Sequence, residues 1–324
     1  MNLARVCAVA VLLAVACAAV EAPPKAHTEK LSIRWPNLQK PLSESYPAPA
    51  RPDDPVKAEV LSRINKDRAD ARLPPVQWDE RASRVADAFA EAQVAEGTLG
   101  HYLTNGIPPY ARTALAGVFG MGAENSVSWR TTGPKFNESA VELALAGQAD
   151  MMREKPPYDG HRRTILDPNA THVGVGYALK GNNFRMAQEF QTRRLRELSL
   201  QRSGDNPQTV LFKGRPLESY SLRFVTIAHE PSPRSLTKAE ASARTSYTYP
   251  DPQLGYVEEG HKSMRVVGTT TEDRILQNSN GDFSFRFTPT SVGLWTFVFY
   301  VAEGKEKPIP GGLAVLWVEK AAAR

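Results

Sequence analysis

Apolar residues keep two different rhythms in the two halves of this chain, and no single layer of secondary structure accommodates both. After Asp54-Pro55, a capping residue followed by a proline suited to a first helical turn, Val56, Val60, Leu61 and Ile64 recur at helical spacing. Leu73-Pro74-Pro75 ends that helix. Asp79 is placed to cap a second one, whose stripe of Ala82, Val85, Ala86, Phe89, Ala90 and Val94 runs up to Gly97 and Gly100. The composition predicts a third helix from near Glu138 to Arg153, stopped by Lys155-Pro156-Pro157. Val173–Tyr177 and Phe184–Phe190 then read as a strand pair about the turn Gly181-Asn182-Asn183. Beyond Gln208 the rhythm becomes alternation: Leu222-Arg223-Phe224, Phe283–Phe287, Trp295–Val301 and Leu313–Val318 are short aromatic or β-branched runs between Gly and Pro. Alternating Phe283, Phe285, Phe287 and Trp295, Phe297, Phe299 fall on one face of each strand, which favours a buried core over a sugar-binding platform.

The chain opens with one positive charge in Met1–Arg5, an apolar run from Val6 to Val20 and small residues before Pro23, the pattern of an export signal over 1–22. Both cysteines, Cys7 and Cys17, lie inside it, so disulfides cannot hold the mature fold. Cys17 follows Val15-Ala16 as a lipid-attachment cysteine would, but Ala14 stands where a leucine is expected, and lipid anchoring is the less favoured reading. Residues 23–54 hold many prolines without apolar periodicity and read as an extended linker. The helical and paired-strand part covers 55–191, a polar and basic stretch over 192–208 reads as a second linker, and an all-β domain occupies 209–322. Forty Lys and Arg against 35 Asp and Glu are spread evenly, which argues against a nucleic-acid partner, and no further run is long enough to span a membrane. The expected location is secreted, periplasmic or cell-envelope.

Only six histidines occur in 324 residues. His101 in Gly100-His101-Tyr102 and His161 in Asp159-Gly160-His161-Arg162-Arg163 bracket Gly122-Ala123-Glu124-Asn125 and a helix leading to Glu154. Imidazole and carboxylate are the side chains that bind borderline divalent metals and orient one another in doing so. No His-Glu-x-x-His pair places two ligands on one helical face, so proximity must come from the fold. Gly-x-Ser-x-Gly is absent, and Ser126 and Ser128 stand near Glu124 with nothing to put either beside a histidine. His27, His172 and His261 read as solvated surface groups.

From about Pro55 to Phe190 the chain resembles the CAP superfamily, also called SCP or PR-1-like, in its bacterial branch. The resemblance is carried in order by Ile64-Asn65-x-x-Arg68, Leu73-Pro74-Pro75-Val76-x-Trp78-Asp79, Gly100-His101 with Asn105-Gly106 and Arg112, Gly122-Ala123-Glu124-Asn125, Gly160-His161-Arg162-x-x-Ile165-Leu166-x-Pro168 and Val173-Gly174-Val175-Gly176. It implies an α+β fold, an α-β-α sandwich, here followed by an all-β immunoglobulin-like sandwich. It also implies a cleft tetrad of His101, Glu124, Glu154 and His161, the two histidines holding a weakly bound divalent metal such as zinc and the acids orienting them. Glu154 is placed by counting from Met151, which stands where the family carries a tryptophan, and Asp159 and Glu142 are the alternatives if that alignment slips. The absent disulfides and tryptophan argue against carrying over sterol binding. The sequence thus points to an exported, non-catalytic module for an extracellular, envelope, lipid or cell-surface ligand. A metal-dependent hydrolase using Glu124 or Glu154 as base, and a structural envelope protein, are the alternatives.

Overall fold

A computed structural model describes residues 31–34, 42–45, 52–203, 208–257 and 275–321. The leader and His27 and His261 lie outside these. In chain order the elements are β1 (Leu31–Arg34), β2 (Leu42–Ser45), α1 (Pro55–Asp70), β3 (Gln77–Trp78), α2 (Glu80–Glu96), α3 (Pro109–Leu115), β4 (Met121–Arg130), α4 (Ala140–Arg153), α5 (Gly160–Ile165), β5 (His172–Lys180), β6 (Asn183–Thr192) and β7 (Leu195–Arg202). There follow β8 (Val210–Pro216), β9 (Tyr220–Glu230), α6 (Lys238–Ala243), β10 (Leu254–Val257), β11 (Leu276–Gln277), β12 (Phe283–Phe287), β13 (Gly293–Glu303) and β14 (Ile309–Lys320).

Local chemistry sets the first helices as expected. The Asp54 carboxylate accepts from the amides of Val56 and Lys57, and Asp79 accepts from those of Arg81 and Ala82, each answering the unpaired N–H groups of a helix start. Gly97, at φ 66°, closes α2 in the left-handed conformation. Between the helices runs a four-stranded sheet ordered β3-β5-β6-β4, in which β3 joins β5 in parallel and the remaining pairs are antiparallel.

The Val173-Gly174-Val175-Gly176 phrase explains how helices cover both faces. Val173 and Val175 are fully buried with Val60 and Ile64 of α1 and Leu143 and Met151 of α4. The intervening glycines face α2, and a Cβ on Gly174 or Gly176 would sit 2.1 Å from the Ser83 nitrogen or 2.0 Å from that of Asp87. Only a strand stripped of side chains on that face lets α2 lie so close. The result is an α-β-α sandwich.

Two five-stranded antiparallel sheets, β1-β14-β13-β9-β10 and β11-β12-β8-β7-β2, form the second domain. Phe212 of one sheet stacks on Phe285 at 4.7 Å and reaches across to Phe297 of the other at 4.5 Å, so the alternating aromatics are core. The stretch 23–54 is therefore more than a linker, since β1 pairs with β14 and β2 with β7 at the sheet edges. Four-residue edge strands between prolines carry no apolar periodicity to read. Nor is 192–208 only a junction. Leu195, Leu198 and Leu200 are buried on β7, and an irregularity between Leu195 and Glu197 breaks the alternation that would have revealed a strand.

The domains share a buried boundary. The inner face of β13 supplies Trp295, Phe297 and Phe299 to the sandwich, while its other face sends Leu294 and Val298, with Leu313 and Val315 of β14, against Tyr110, Ala111 and Ala114 of α3. A buried ion pair joins Asp79 to Arg193, and the Arg194 and Leu313 amides donate to Gly311 and Phe119 carbonyls at 2.8 Å. Among the described residues no helix is long and apolar enough to cross a membrane.

A methyl group on Gly174 meets backbone, which cannot yield as a side-chain tip does. Gly174→Ala is expected to cost about 3 kcal/mol of stability, whereas Gly160→Ala, with open space around its Cβ position, stays within about 0.5 kcal/mol; urea unfolding of both variants measures the difference.

Candidate functional site

The loop after α2 carries His101. Gln93 donates to the Gly100 carbonyl at 2.8 Å, and Gly100, at φ 75°, turns the chain so that the His101 ring enters the interior, 8 % exposed. Its Nδ1 lies 2.8 Å from Oε1 of Glu124, a buried residue of β4. With Glu124 ionised, Nδ1 carries the proton, an assignment that follows from the partner. The second oxygen of Glu124 accepts from the Arg112 guanidinium of α3, which also lies 3.8 Å over the Phe89 ring and donates to the His101 carbonyl.

Burial alone would raise the Glu124 carboxyl, but the Arg112 charge and the hydrogen bond from His101 outweigh it and hold the group below the usual carboxylate range. Glu189 stands directly opposite on β6. Burial first, and then the Glu124 charge, push it well above that range, so the pair favours one anion beside one neutral acid.

The second histidine is held by a different device. Glu154 ends α4, and its carboxylate reaches the start of α5, accepting from the amides of His161 at 3.0 Å and Arg162 at 3.4 Å. The same carboxylate meets His161 Nδ1 at 2.5 Å, with the ring about one-third exposed. Of the alternative acids, Asp159 pairs with Arg163 and Glu142 closes the capping box with Ser139. From Asn125, one residue beyond Glu124, a buried amide chain runs through Gln188 and Gln148 to Asp67 of α1, and the same Asn125 donates to the His161 carbonyl at 3.2 Å.

The four residues singled out from the sequence therefore form two imidazole–carboxylate pairs, one sealed against β4 and one open at the start of α5. Each Nδ1 is committed, which leaves Nε2 as the nitrogen able to take a ligand. Among the described residues no three His, Cys, Asp or Glu side chains are arranged around one point to hold a metal ion. Ser126 Oγ is buried without a hydrogen-bond partner and bonds no histidine. His172 is not the surface group expected: burial and then the Arg194 charge push its ring down to about 4, and it bonds Thr171 at 2.9 Å.

Sequence reasoning gave no role to Glu189, whose only signal is a carboxylate inside an apolar strand. It also passed over Tyr247 and Tyr249. Both arrive from the second domain: the Tyr247 hydroxyl accepts from the Glu124 amide at 2.7 Å with its ring edge-on to His101 at 5.1 Å, and the Tyr249 hydroxyl bonds the Gly122 main chain.

Residues 61–190 match the model of the cysteine-rich secretory protein family, CAP. Over 123 residues the chain is 29 % identical to the uncharacterized protein YkwD of Bacillus subtilis (strain 168), spanning 38 % of this chain and 42 % of that relative, less than half its length. Among solved structures, an extracellular protein containing a SCP domain from Bacillus anthracis str. Ames aligns at TM-score 0.35 and 18 % identity, over 44 % of this chain and 45 % of that one. An outer surface protein from Borrelia burgdorferi aligns at TM-score 0.33 and 19 % identity, over 41 % of this chain and 90 % of that one. The family match stops at Phe190, before β7.

The two acids have opposite linkage signs. Glu124, depressed in the folded protein, stabilises above the unfolded carboxyl range and loses that contribution as pH falls through its lowered value. Glu189, raised, stabilises below the unfolded range and loses its contribution as pH climbs toward its folded value. Arg112→Met should cost about 3–5 kcal/mol at neutral pH, because a buried charge loses its partner, and should move acid unfolding to higher pH. Glu189→Gln, which imitates the neutral acid, should instead gain stability relative to the wild type as pH rises above the unfolded carboxyl range, the gain growing until the folded Glu189 ionises. Urea midpoints across pH separate the two.

Proposed function

We propose that the protein is an exported, non-catalytic CAP module that binds an extracellular or envelope ligand, with His101 and His161 able to hold a divalent ion such as zinc and the sandwich, read as immunoglobulin-like, serving as an interaction or spacer domain. The leader-like residues 1–22 and the matched CAP segment support export. The observation that carries the non-catalytic reading is the state of the two acids. Both oxygens of Glu124 are taken, by His101 and Arg112, and both oxygens of Glu154 by His161 and the α5 amides. Glu124 is sealed from solvent and has no water to take a proton from, and Glu154, though its side chain is 23 % exposed, spends both oxygens on orienting His161 and the α5 amides.

The donor set fits a metal only in part. Two imidazoles oriented by carboxylates make the usual outer support of a zinc ligand, but His101 is closed over by Tyr247 and two protein ligands leave most positions to water. Binding is accordingly weak and falls on acidification, since imidazole must lose its proton to coordinate.

Zinc titration calorimetry on the full chain, with hydrolysis of a peptide library measured alongside, tests the reading. The expected outcome is uptake lost in His101→Ala and His161→Ala, weakened about 10–100-fold in Glu154→Gln, and no hydrolysis in any form. Zinc-dependent cleavage lost with either histidine would make the protein a hydrolase; unchanged uptake in the histidine variants would remove the metal.

A further inference from the structure

Among the described residues β4 is the last strand of its sheet, so the main-chain groups of Gly122 and Glu124 that face away from β6 have no strand there to pair with. Unpaired edges of this kind bind extended polypeptide. Here they are met by side chains. The Tyr249 hydroxyl accepts from the Gly122 amide at 3.1 Å and donates to the Gly122 carbonyl, and the Tyr247 hydroxyl accepts from the Glu124 amide. Between α6 and β10 these tyrosines lie on an extended strap whose residues Thr245, Ser246 and Thr248 face outward in part or in full.

The opposite surface is shaped for that strap. A Cβ on Gly100, at φ 75°, would lie 3.0 Å from the Arg244 carbonyl oxygen. The His101 amide donates to the same Arg244 carbonyl at 3.4 Å, and the Arg244 guanidinium lies 4.9 Å over the Tyr102 ring. Main-chain carbonyl, guanidinium and two phenols at alternate positions thus read the loop after α2 and the β4 edge together. That is how a peptide groove holds a peptide.

We infer that the β4 edge beside His101 is a receptor for an extended peptide carrying tyrosines two residues apart, and that Arg244–Tyr249 is its resident occupant, replaceable by a segment of the same chemistry from another chain. While the strap is seated it covers His101 and leaves His161 open. The inference does not depend on metal binding, and its test uses no zinc, so either idea can fail alone.

The experiment uses a labelled peptide of residues 244–250 with the full chain and its Tyr247→Ala/Tyr249→Ala variant. The peptide should bind the variant saturably and the wild type at least about tenfold more weakly. His101 carbethoxylation, followed by mass spectrometry, should accelerate by a similar factor in the variant and slow again with peptide, while His161 stays constant. No binding to the variant, equal binding to both proteins, or an unchanged His101 rate overturns the inference. Should the variant not fold, hydrogen exchange on the wild type decides: a Glu124 amide exchanging faster than that of Phe297 in the sandwich core supports a strap that lifts by itself, and equal protection overturns it.

Discussion

An ionised carboxylate withdrawn from water must be surrounded by donors, and Glu124 imposes that demand on everything around it. Its two oxygens fix Arg112 on α3 and His101 after α2, elements that approach β4 from different parts of the chain. Glu189, opposite, answers the same charge and its own burial with a carboxyl pushed well above the usual range. Arg112 in turn covers Phe89 of α2. One buried charge thereby locks two helices, a loop and two strands into a single arrangement, and removing any partner leaves a cost that apolar packing cannot offset.

The histidine pairs differ in how they are built, and that difference matters for function. His101 is oriented by an interior charge and closed over by Tyr247, whereas His161 is oriented by a carboxylate that also caps a short helix and keeps one edge in solvent. The buried amide chain from Asp67 to Asn125 ties the His161 main chain to α1 and α4. Rigid support on both sides of β4 suits a site that holds a ligand in place more than one that must trade protons.

Much of this was legible in the sequence where local rules decide. α1, α2 and α4 follow from caps and apolar spacing, and the hairpin of β5 and β6 from its Gly-Asn turn. The alternating aromatics of β12 and β13 mark the sandwich core. Other elements needed the tertiary structure. β4 looks like a polar loop because its two buried residues, Glu124 on one face and Asn125 on the other, are polar and satisfied by residues remote in sequence. α3 has no side-chain cap and owes its burial to the second domain. The unbroken apolar run on β13 does carry a signal, that of a strand buried on both faces, and so hints at the boundary with the CAP domain. His101, Glu124 and His161 were named through their phrases and Glu154 by counting from Met151, but Arg112, Glu189 and Tyr247 gained roles only when the fold placed them around Glu124.

The central claim is that one member of the Glu124–Glu189 pair is an anion and the other an acid. A carbon-13 titration of glutamate side-chain carboxyls reads both states directly. The account predicts Glu124 ionised down through the range where surface glutamates protonate, and Glu189 still protonated well above that range. Glu189 titrating together with the surface glutamates, or Glu124 protonated at neutral pH, would contradict it.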